Sequence, residues 1–180
     1  MKKLSHEQIS GRKPEVNEVK AKKRNPIYVL LDNVRSLHNV GAIFRSADAV
    51  LVEKIYLCGI TGCPPRKEIS KTALGAEEIV PWEYFDEAEE AILALKEQGV
   101  KIVAVELAEG SVSYFEAEYD FPVCFVFGHE VEGISDEIME LVDMAVDLPM
   151  LGRANSLNVA TCFGVIVYDA LVKIMKKDEK

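Results

Sequence analysis

Glycine-rich phosphate loops are missing from this chain. The dinucleotide-binding pattern G-x-G-x-x-G, the P-loop pattern G-x-x-x-x-G-K-[ST] and the nucleophile pattern G-x-S-x-G do not occur in it. Their absence argues against NAD binding, P-loop hydrolysis, Rossmann-type nucleotide binding and serine hydrolase chemistry.

Long apolar segments and metal-ligand clusters are also lacking. No stretch reaches the roughly 18 consecutive apolar residues of a membrane helix. No apolar run follows Lys2 and Lys3, so we expect neither a membrane anchor nor a signal peptide. The chain has three histidines, and its four cysteines have no zinc-ligand spacing. We therefore expect a reduced, cytoplasmic protein without a metal site, whose cysteines are small apolar residues. These are Cys58, Cys63, Cys124 and Cys162.

Positive charge is scarce overall but concentrated at one end. The 180 residues carry a net charge of −9, which argues against a simple nucleic-acid-binding protein. Residues 1–24, however, hold eight Lys or Arg and three Glu, a local charge of +5, so the rest carries −14. Residues 86–140 hold 15 Asp or Glu and two Lys. The basic tail is either a solvated terminus or an arm that binds phosphates.

Apolar runs with strand character recur along residues 25–180. Two of them, Lys101–Leu107 and Pro122–Phe127, are continuously apolar, as in parallel sheets that are covered on both faces. A further short strand is expected at Glu77–Pro81. We predict one α/β domain at 25–180, an open and mostly parallel sheet covered by helices, preceded by a basic arm at 1–24. The other predicted strands are Ile27–Leu31, Lys54–Cys58 and Ala145–Leu148.

Helical periodicity separates these strands. Asn39 is expected to cap a helix that follows the first strand, and Ser135 one that runs to Val142. The last helix, Ser156–Met175, is apolar nearly all round, so it must be covered on more than one side. In a chain this short, we expect a second subunit to provide part of that cover. The remaining predicted helices are Ile69–Ala76 and Asp86–Gln98.

The first candidate site motif is Asn39–Arg45, with the sequence NVGAIFR. Asn39 would leave the helix N–H groups free to hold an anion. Gly41 would allow a ligand to approach the first turn closely. Arg45 lies one turn beyond Gly41, and its planar guanidinium suits a phosphate. The alternative from these residues alone is an ordinary capped helix with a solvated arginine.

Two further candidate motifs follow later strands. Residues 128–133, GHEVEG, form a turn in which Glu130 lies between two glycines, and such carboxylates contact either a ligand or the backbone. Residues 156–160, SLNVA, open the last helix with Ser156 and Asn158, which could also be ordinary capping residues. His129 and His38 are weaker candidates for a chemical role.

The three motifs, in this order, resemble those of the SPOUT methyltransferases, and the SpoU/TrmH branch in particular. The resemblance extends from about Ile27 to Leu171. It implies an enzyme that transfers a methyl group from S-adenosylmethionine to the ribose 2′-hydroxyl of tRNA or rRNA. It also implies a C-terminal trefoil knot, a rare feature that no periodicity in the sequence predicts.

The resemblance also implies roles for individual residues. Arg45 would bind the phosphate beside the target ribose and stabilise the developing alkoxide, because a free guanidinium is almost never deprotonated. The expected catalytic residues are Arg45, Asn39, Glu130, Ser156 and Asn158. The expected cofactor-binding residues are Leu107, Gly128, Glu130, Leu148, Met150, Ser156 and Leu157. The expected RNA-binding residues are Lys22, Lys23, Arg24, Arg45, Arg66 and Lys71, with a homodimer completing the RNA surface.

Two alternatives remain open from the sequence. The chain could be a non-catalytic RNA-binding protein with the same fold, although the set of candidate polar residues argues against this. It could also methylate a base nitrogen rather than ribose, although the pattern N-x-G-A-x-x-R favours ribose.

Overall fold

A seven-stranded, wholly parallel sheet forms the centre of the protein. The computed structural model describes residues 1–178. The strands lie side by side in the order β3-β2-β1-β6-β4-β7-β5, and every neighbouring pair is parallel. This confirms the predicted fold class. The strands are β1 (Asn25–Asp32), β2 (Val52–Cys58), β3 (Trp82–Phe85), β4 (Lys101–Val105), β5 (Val112–Ser113), β6 (Val123–Phe127) and β7 (Met144–Asp147).

Helices cover both faces of this sheet. On one face, α3, α4 and α7 pack against the sheet through Phe44, Ile69 and Phe163. On the other, α5 and α6 pack through Ile92 and Ile138. Strands buried on both sides need apolar residues at every position, which explains the continuous runs in the sequence. The helices are α1 (His6–Ser10), α2 (Val16–Lys20), α3 (Leu37–Ala49), α4 (Lys67–Ala73), α5 (Ala88–Glu97), α6 (Asp136–Met139) and α7 (Val159–Asp178).

The strand predicted at Glu77–Pro81 was wrong. Residues Ala76–Glu78 form a short 3-10 turn instead, after Leu74 and Gly75 turn the chain with positive φ values of 54° and 91°. The strand at this edge is β3, which starts later. Its central residues, Glu83 and Tyr84, are exposed, as is usual for an edge strand. Because they are polar, the sequence has no apolar run that would predict this strand.

Four other elements differ from the sequence prediction. The two-residue strand β5 lies within residues 108–121, for which no element was predicted. Two short helices, α1 and α2, lie within the basic arm. Helix α7 begins at Val159 and not at Ser156, because Asn158 occupies the capping position.

Arg24 joins the arm to the sheet by hydrogen bonds. The Arg24 guanidinium donates hydrogen bonds to the backbone oxygens of Val52 (2.9 Å) and Ile79 (2.8 Å). These contacts lie just before β1, at the amino edge of the sheet. The four cysteines are free thiols; Cys58 and Cys124 are buried, and Cys63 and Cys162 are half-buried. Among the described residues, no helix has the length and apolarity needed to cross a membrane.

Candidate active site

All three sequence motifs lie beyond the carboxyl ends of the strands. The β1–α3 loop, the turn after β6 and the loop after β7 leave the sheet at the same edge, because all strands run in one direction. In open α/β sheets, ligands bind at this edge. The parallel order thus brings together residues that are more than 100 positions apart, such as Asn39 and Asn158.

Glu130 is the centre of the hydrogen-bond cluster at this edge. Its carboxylate accepts from the backbone N–H groups of Arg35 and Ser36, each at 3.0 Å, and from Asn39 Nδ2 at 3.1 Å. Partial burial acts to raise the pKa of this carboxyl, but the hydrogen bonds outweigh it and lower the pKa below its ordinary 4.5. Glu130 is therefore ionised at neutral pH and fixes the β1–α3 loop.

Asn39 connects the first motif to both of the others. Its Nδ2 donates to Glu130, and its Oδ1 accepts from Asn158 Nδ2 at 3.1 Å. The prediction that Asn39 caps α3 was wrong. Ser36 is the cap, and its hydroxyl accepts from the Asn39 N–H at 3.3 Å. Because Ser36 satisfies the helix terminus, the Asn39 amide is free to bridge two loops.

Asn158 fixes the start of α7. Its Oδ1 accepts from the N–H groups of Ala160 (3.0 Å) and Thr161 (3.3 Å), while its Nδ2 donates to Asn39. The capping role, which was the alternative for Asn158, is observed, and the same side chain also contacts the first motif. Ser156 and Leu157 are exposed in the preceding loop, and within residues 1–178 the Ser156 hydroxyl makes no hydrogen bond.

The turn after β6 closes on itself through its backbone. His129 and Gly133 exchange two hydrogen bonds, of 3.0 and 2.9 Å. A side chain at Gly128 would overlap the backbone of Gly133 and Ile134, so this position requires glycine. The Nδ1 atom of His129 accepts from the N–H groups at positions 131 and 132, which stabilises the turn.

Glu106 is a site residue that the sequence analysis missed. It follows β4 directly, and its carboxylate accepts from the N–H groups of Ile134 (3.2 Å) and Leu107 (3.0 Å). It therefore ties the end of β4 to the turn at Gly133. Glu130 was selected because it lies between two glycines shortly after a buried strand. Glu106 was missed because the predicted strand Lys101–Leu107 includes it, whereas β4 ends at Val105.

Three exposed apolar side chains surround this edge. Leu107 is 73% exposed, Val131 84% and Leu151 98%, and they follow β4, β6 and β7 respectively. Leu148 and Met150 are half-buried in the last of these loops. Apolar groups next to free loop backbone suit a ligand that has both apolar and hydrogen-bonding parts. These loops could therefore hold a nucleoside-like cofactor.

Arg45 lies farther along α3, with its side chain in solvent. Among the described residues its guanidinium has no hydrogen-bond or ion-pair partner, so the structure does not bring it into contact with Glu130. The predicted reason for Gly41 was wrong. A side chain at Gly41 would overlap the Thr72 hydroxyl and the Ile69 carbonyl oxygen, so glycine here permits close packing of α3 on α4.

The predicted RNA-binding residues are distributed over two surfaces. Lys22 and Lys23 are exposed on the arm, whereas the Arg24 guanidinium is occupied by backbone oxygens. Arg66 and Lys71 are exposed around a shallow hollow of about 520 Å³ beside α4. Within residues 1–178, no group of three His, Cys, Asp or Glu side chains is arranged to hold a metal ion.

Comparison with known proteins identifies the family to which this chain is similar. The model of the SpoU rRNA Methylase family matches residues 26–168. A tRNA (guanosine(18)-2′-O)-methyltransferase of Aquifex aeolicus is 36% identical over 162 residues, which are 90% of this chain and 76% of that protein.

Solved structures agree with this assignment. The A. aeolicus TrmH/SpoU tRNA modifying enzyme superposes with a TM-score of 0.81 at 35% identity, over 91% of this chain and 82% of that one. An AdoMet-bound rRNA methyltransferase from Sinorhizobium meliloti gives 0.77 at 32% identity, over 84% and 59%. The predicted resemblance is confirmed, and the chain belongs to the SpoU rRNA methylase family.

Proposed function

We propose that this protein is an S-adenosylmethionine-dependent RNA methyltransferase that modifies the ribose 2′-hydroxyl of tRNA or rRNA. The observation that carries the proposal is the hydrogen-bonded chain Glu130–Asn39–Asn158, which joins all three family motifs at the carboxyl edge of the sheet. Relatives that are 30–36% identical bear the names of tRNA and rRNA 2′-O-methyltransferases, which supports the same reaction class here.

The three strand-end loops fit the cofactor chemically. Adenosylmethionine has an adenine, a ribose and a charged amino acid part, so it needs both apolar contacts and hydrogen-bonding groups. Leu107, Val131 and Leu151 present exposed apolar surface there, and Leu148 and Met150 line the last loop. Gly128 permits the tight turn after β6. Ser156 and Leu157 are exposed in the loop that follows β7. The bound cofactor supplies a methyl group that its positively charged sulfur has already activated.

The remaining chemistry concerns the ribose hydroxyl. Arg45 has an exposed guanidinium with five N–H donors, which suits an RNA phosphate and an oxygen that develops negative charge. Glu130, Asn39 and Asn158 are positioning residues, because their hydrogen bonds hold the loop from which α3 starts and the loop that opens α7. Rigid positioning of two reactants is the main source of rate in such a transfer.

RNA binding would use two basic surfaces. Lys22 and Lys23 project from the arm, and Arg66 and Lys71 surround the hollow beside α4. Arg24, in contrast, attaches the arm to the sheet and contributes to RNA binding through the placement of its neighbours. We place the protein in the cytoplasm, together with tRNA and rRNA.

A homodimer is the second part of the proposal. Helix α7 buries Phe163, Val167 and Ala170 against the sheet. Its opposite side exposes Tyr168, Val172 and Met175, which recur at intervals of four and three residues. Such spacing forms one apolar stripe along a helix, which suits packing against a second copy of α7.

The cofactor assignment is tested by calorimetry with S-adenosylhomocysteine, the demethylated product, in buffer that contains a metal chelator. We expect binding without added metal, because the loops supply apolar surface and backbone groups. Binding that requires a divalent ion, or its absence at millimolar ligand, would contradict the proposal.

A further inference from the structure

The loop between β1 and α3 is held from both sides by its neighbours in the sheet. Strand β1 lies between β2 and β6, so the loops that follow these two strands flank the loop that follows β1. On the β6 side, Glu130 accepts from the N–H groups of Arg35 and Ser36. On the β2 side, the corresponding contact is made by Thr61, a residue outside the three motifs.

Thr61 is a buried polar residue whose hydroxyl both donates and accepts a hydrogen bond. The residue is 3% exposed. Its Oγ1 donates to the backbone oxygen of Leu31 at 3.0 Å and accepts from the Val34 N–H at 2.9 Å. A hydroxyl has one proton and a carbonyl oxygen can only accept, so the direction of both bonds is determined. One hydroxyl therefore links the end of β1 to the loop that follows it.

The turn that Thr61 closes has an unfavourable backbone conformation. Asn33 has a φ of 56°, in the left-handed region that residues other than glycine rarely adopt. Its N–H donates to the Cys58 oxygen at 3.2 Å, and its side-chain oxygen accepts from the Ile60 N–H at 3.1 Å. Such a conformation persists where the surrounding contacts over-determine it. The end of β2 and the loop after it supply these contacts.

The same loop leads directly into the proposed catalytic cluster. The N–H groups of residues 33 and 34 are bound on the β2 side, and those of residues 35 and 36 on the β6 side. Helix α3, which carries Asn39 and Arg45, begins at the next residue. Because the backbone is continuous, a displacement at Val34 would move Arg35 and Ser36 relative to Glu130. The position of Asn39 thus depends on contacts from both flanking strands.

We propose that Thr61 is a positioning residue for methyl transfer, which holds Val34 so that the β1–α3 loop keeps its hydrogen bonds to Glu130. The inference rests on the proposed function, because it names a further residue on which the geometry of that site depends. Thr61 binds the end of β1 and the loop after it, whereas the proposed cofactor loops follow β4, β6 and β7. We therefore expect turnover, and not cofactor affinity, to depend on the Thr61 hydroxyl.

Two substitutions separate the hydroxyl from the shape of the side chain. Thr61→Val keeps the branched shape but leaves a buried N–H and a buried carbonyl oxygen unpaired, which is costly. Thr61→Ser retains the hydroxyl. The control is Asn25→Ala, which removes a side-chain hydrogen bond of 2.7 Å to the Val50 oxygen at the opposite end of β1. Should Thr61→Val fail to fold, Thr61→Ala takes its place, since it differs from Thr61→Ser by the hydroxyl oxygen alone.

The first measurement is the rate of 2′-O-methylation of total tRNA or total rRNA, together with calorimetry of S-adenosylhomocysteine binding. We expect Thr61→Val to lower kcat at least about tenfold, because a small displacement of positioned groups is enough for such a loss. The KM for S-adenosylmethionine and the affinity for its demethylated product should be unchanged. Thr61→Ser should restore most of the rate, and Asn25→Ala should retain it even if it melts at a lower temperature.

The second measurement, amide hydrogen exchange, does not depend on turnover. In Thr61→Val, the N–H groups of Val34, Arg35 and Ser36 should exchange at least about tenfold faster, because opening of the loop no longer breaks the bond to Thr61. In Asn25→Ala, these three amides should exchange as in the wild type. Full activity of Thr61→Val, equal losses in Thr61→Val and Thr61→Ser, or unchanged exchange at the three amides would overturn the inference. A wild-type protein that methylates no ribose would contradict the proposed function instead.

Discussion

Glu130 is fixed by the backbone of a loop that lies more than 90 positions earlier in the chain. Its carboxylate accepts hydrogen bonds from Arg35, Ser36 and Asn39, and together these bonds lower its pKa. Hydrogen bonds to an ionised group are stronger than those between neutral groups. The site is therefore held by ionised Glu130, which couples its stability to pH.

We expect Glu130→Gln to lower the melting temperature at neutral pH, and to lower it less in acid. The carboxyl has a folded pKa below 4.5, so its stabilising effect is complete above that value and is lost as the pH falls through the lowered pKa. Thermal melts of both proteins across this range measure the effect.

Glu132→Gln is the matched control, since Glu132 is an exposed carboxylate in the same turn. This variant should melt like the wild type at every pH. A Glu130→Gln difference that stays constant from neutral pH to acid would show that the carboxylate charge does not hold the loop.

For two polar residues of the site, the sequence predicted the residue but not its hydrogen-bond partners. Asn39 and Glu130 were identified from their motifs, but their hydrogen bonds could not be, since the partners lie in distant loops. Glu130 binds the Arg35 and Ser36 backbone, and Asn39 binds the side chains of Glu130 and Asn158. Asn39 was expected to cap α3 because Asn is a common cap. Ser36 lies three residues earlier and is equally suitable, so the choice depends on the path of the loop.

Among the elements, α7 carries the proposed dimer contact. The exposed fractions of Tyr168, Val172 and Met175 are 49%, 45% and 56%, on the side of the helix away from the sheet. Apolar area of this kind in one stripe is unusual at a surface that stays in water.

Val172→Glu is expected to convert a dimer into a monomer, because it introduces a charge into the middle of the stripe. Sedimentation equilibrium of wild type and variant measures this change. The control is Leu93→Glu on α5, where the leucine is 46% exposed and outside the stripe. A monomeric wild type, or dissociation by both substitutions equally, would contradict the proposed interface.

The sequence predicts the buried strands of the sheet but not the strands at its edges. The buried strands β1, β4 and β6 were recognised because burial on both faces requires continuous apolar residues. Edge strand β3 and the two-residue β5 have exposed or mixed residues and were missed. The trefoil knot stays a prediction from the family alone.

At the scale of the whole molecule, the basic arm and the proposed active site lie at opposite edges of the sheet. The arm of residues 1–24 joins at the amino end of β1, whereas Glu130 follows the carboxyl end of β6. An eight-residue strand separates the two by roughly 26 Å. The arm would therefore contact RNA away from the methylated ribose of its own subunit.

Removal of residues 1–23 should weaken RNA binding and leave cofactor affinity unchanged. For every RNA phosphate that the arm neutralises, its removal should reduce the slope of log K against log salt by about 0.7–0.9. Arg24 is retained, because it donates to Val52 and Ile79 in the folded domain. The control is Lys96→Gln on α5, which should preserve the slope. Equal affinity and slope after truncation would show that the arm is a solvated terminus.

The most direct test of the proposed function is to determine which RNA atom receives the methyl group. Total tRNA or rRNA is incubated with the protein and methyl-labelled S-adenosylmethionine, then digested with a nuclease that requires a free 2′-hydroxyl. We expect the label in a resistant dinucleotide, and at least about a hundredfold less of it with Arg45→Ala, at similar cofactor affinity. Lys96→Ala serves as the control for loss of a positive charge. Label in a base, no label from the wild type, or full activity of Arg45→Ala would contradict the account.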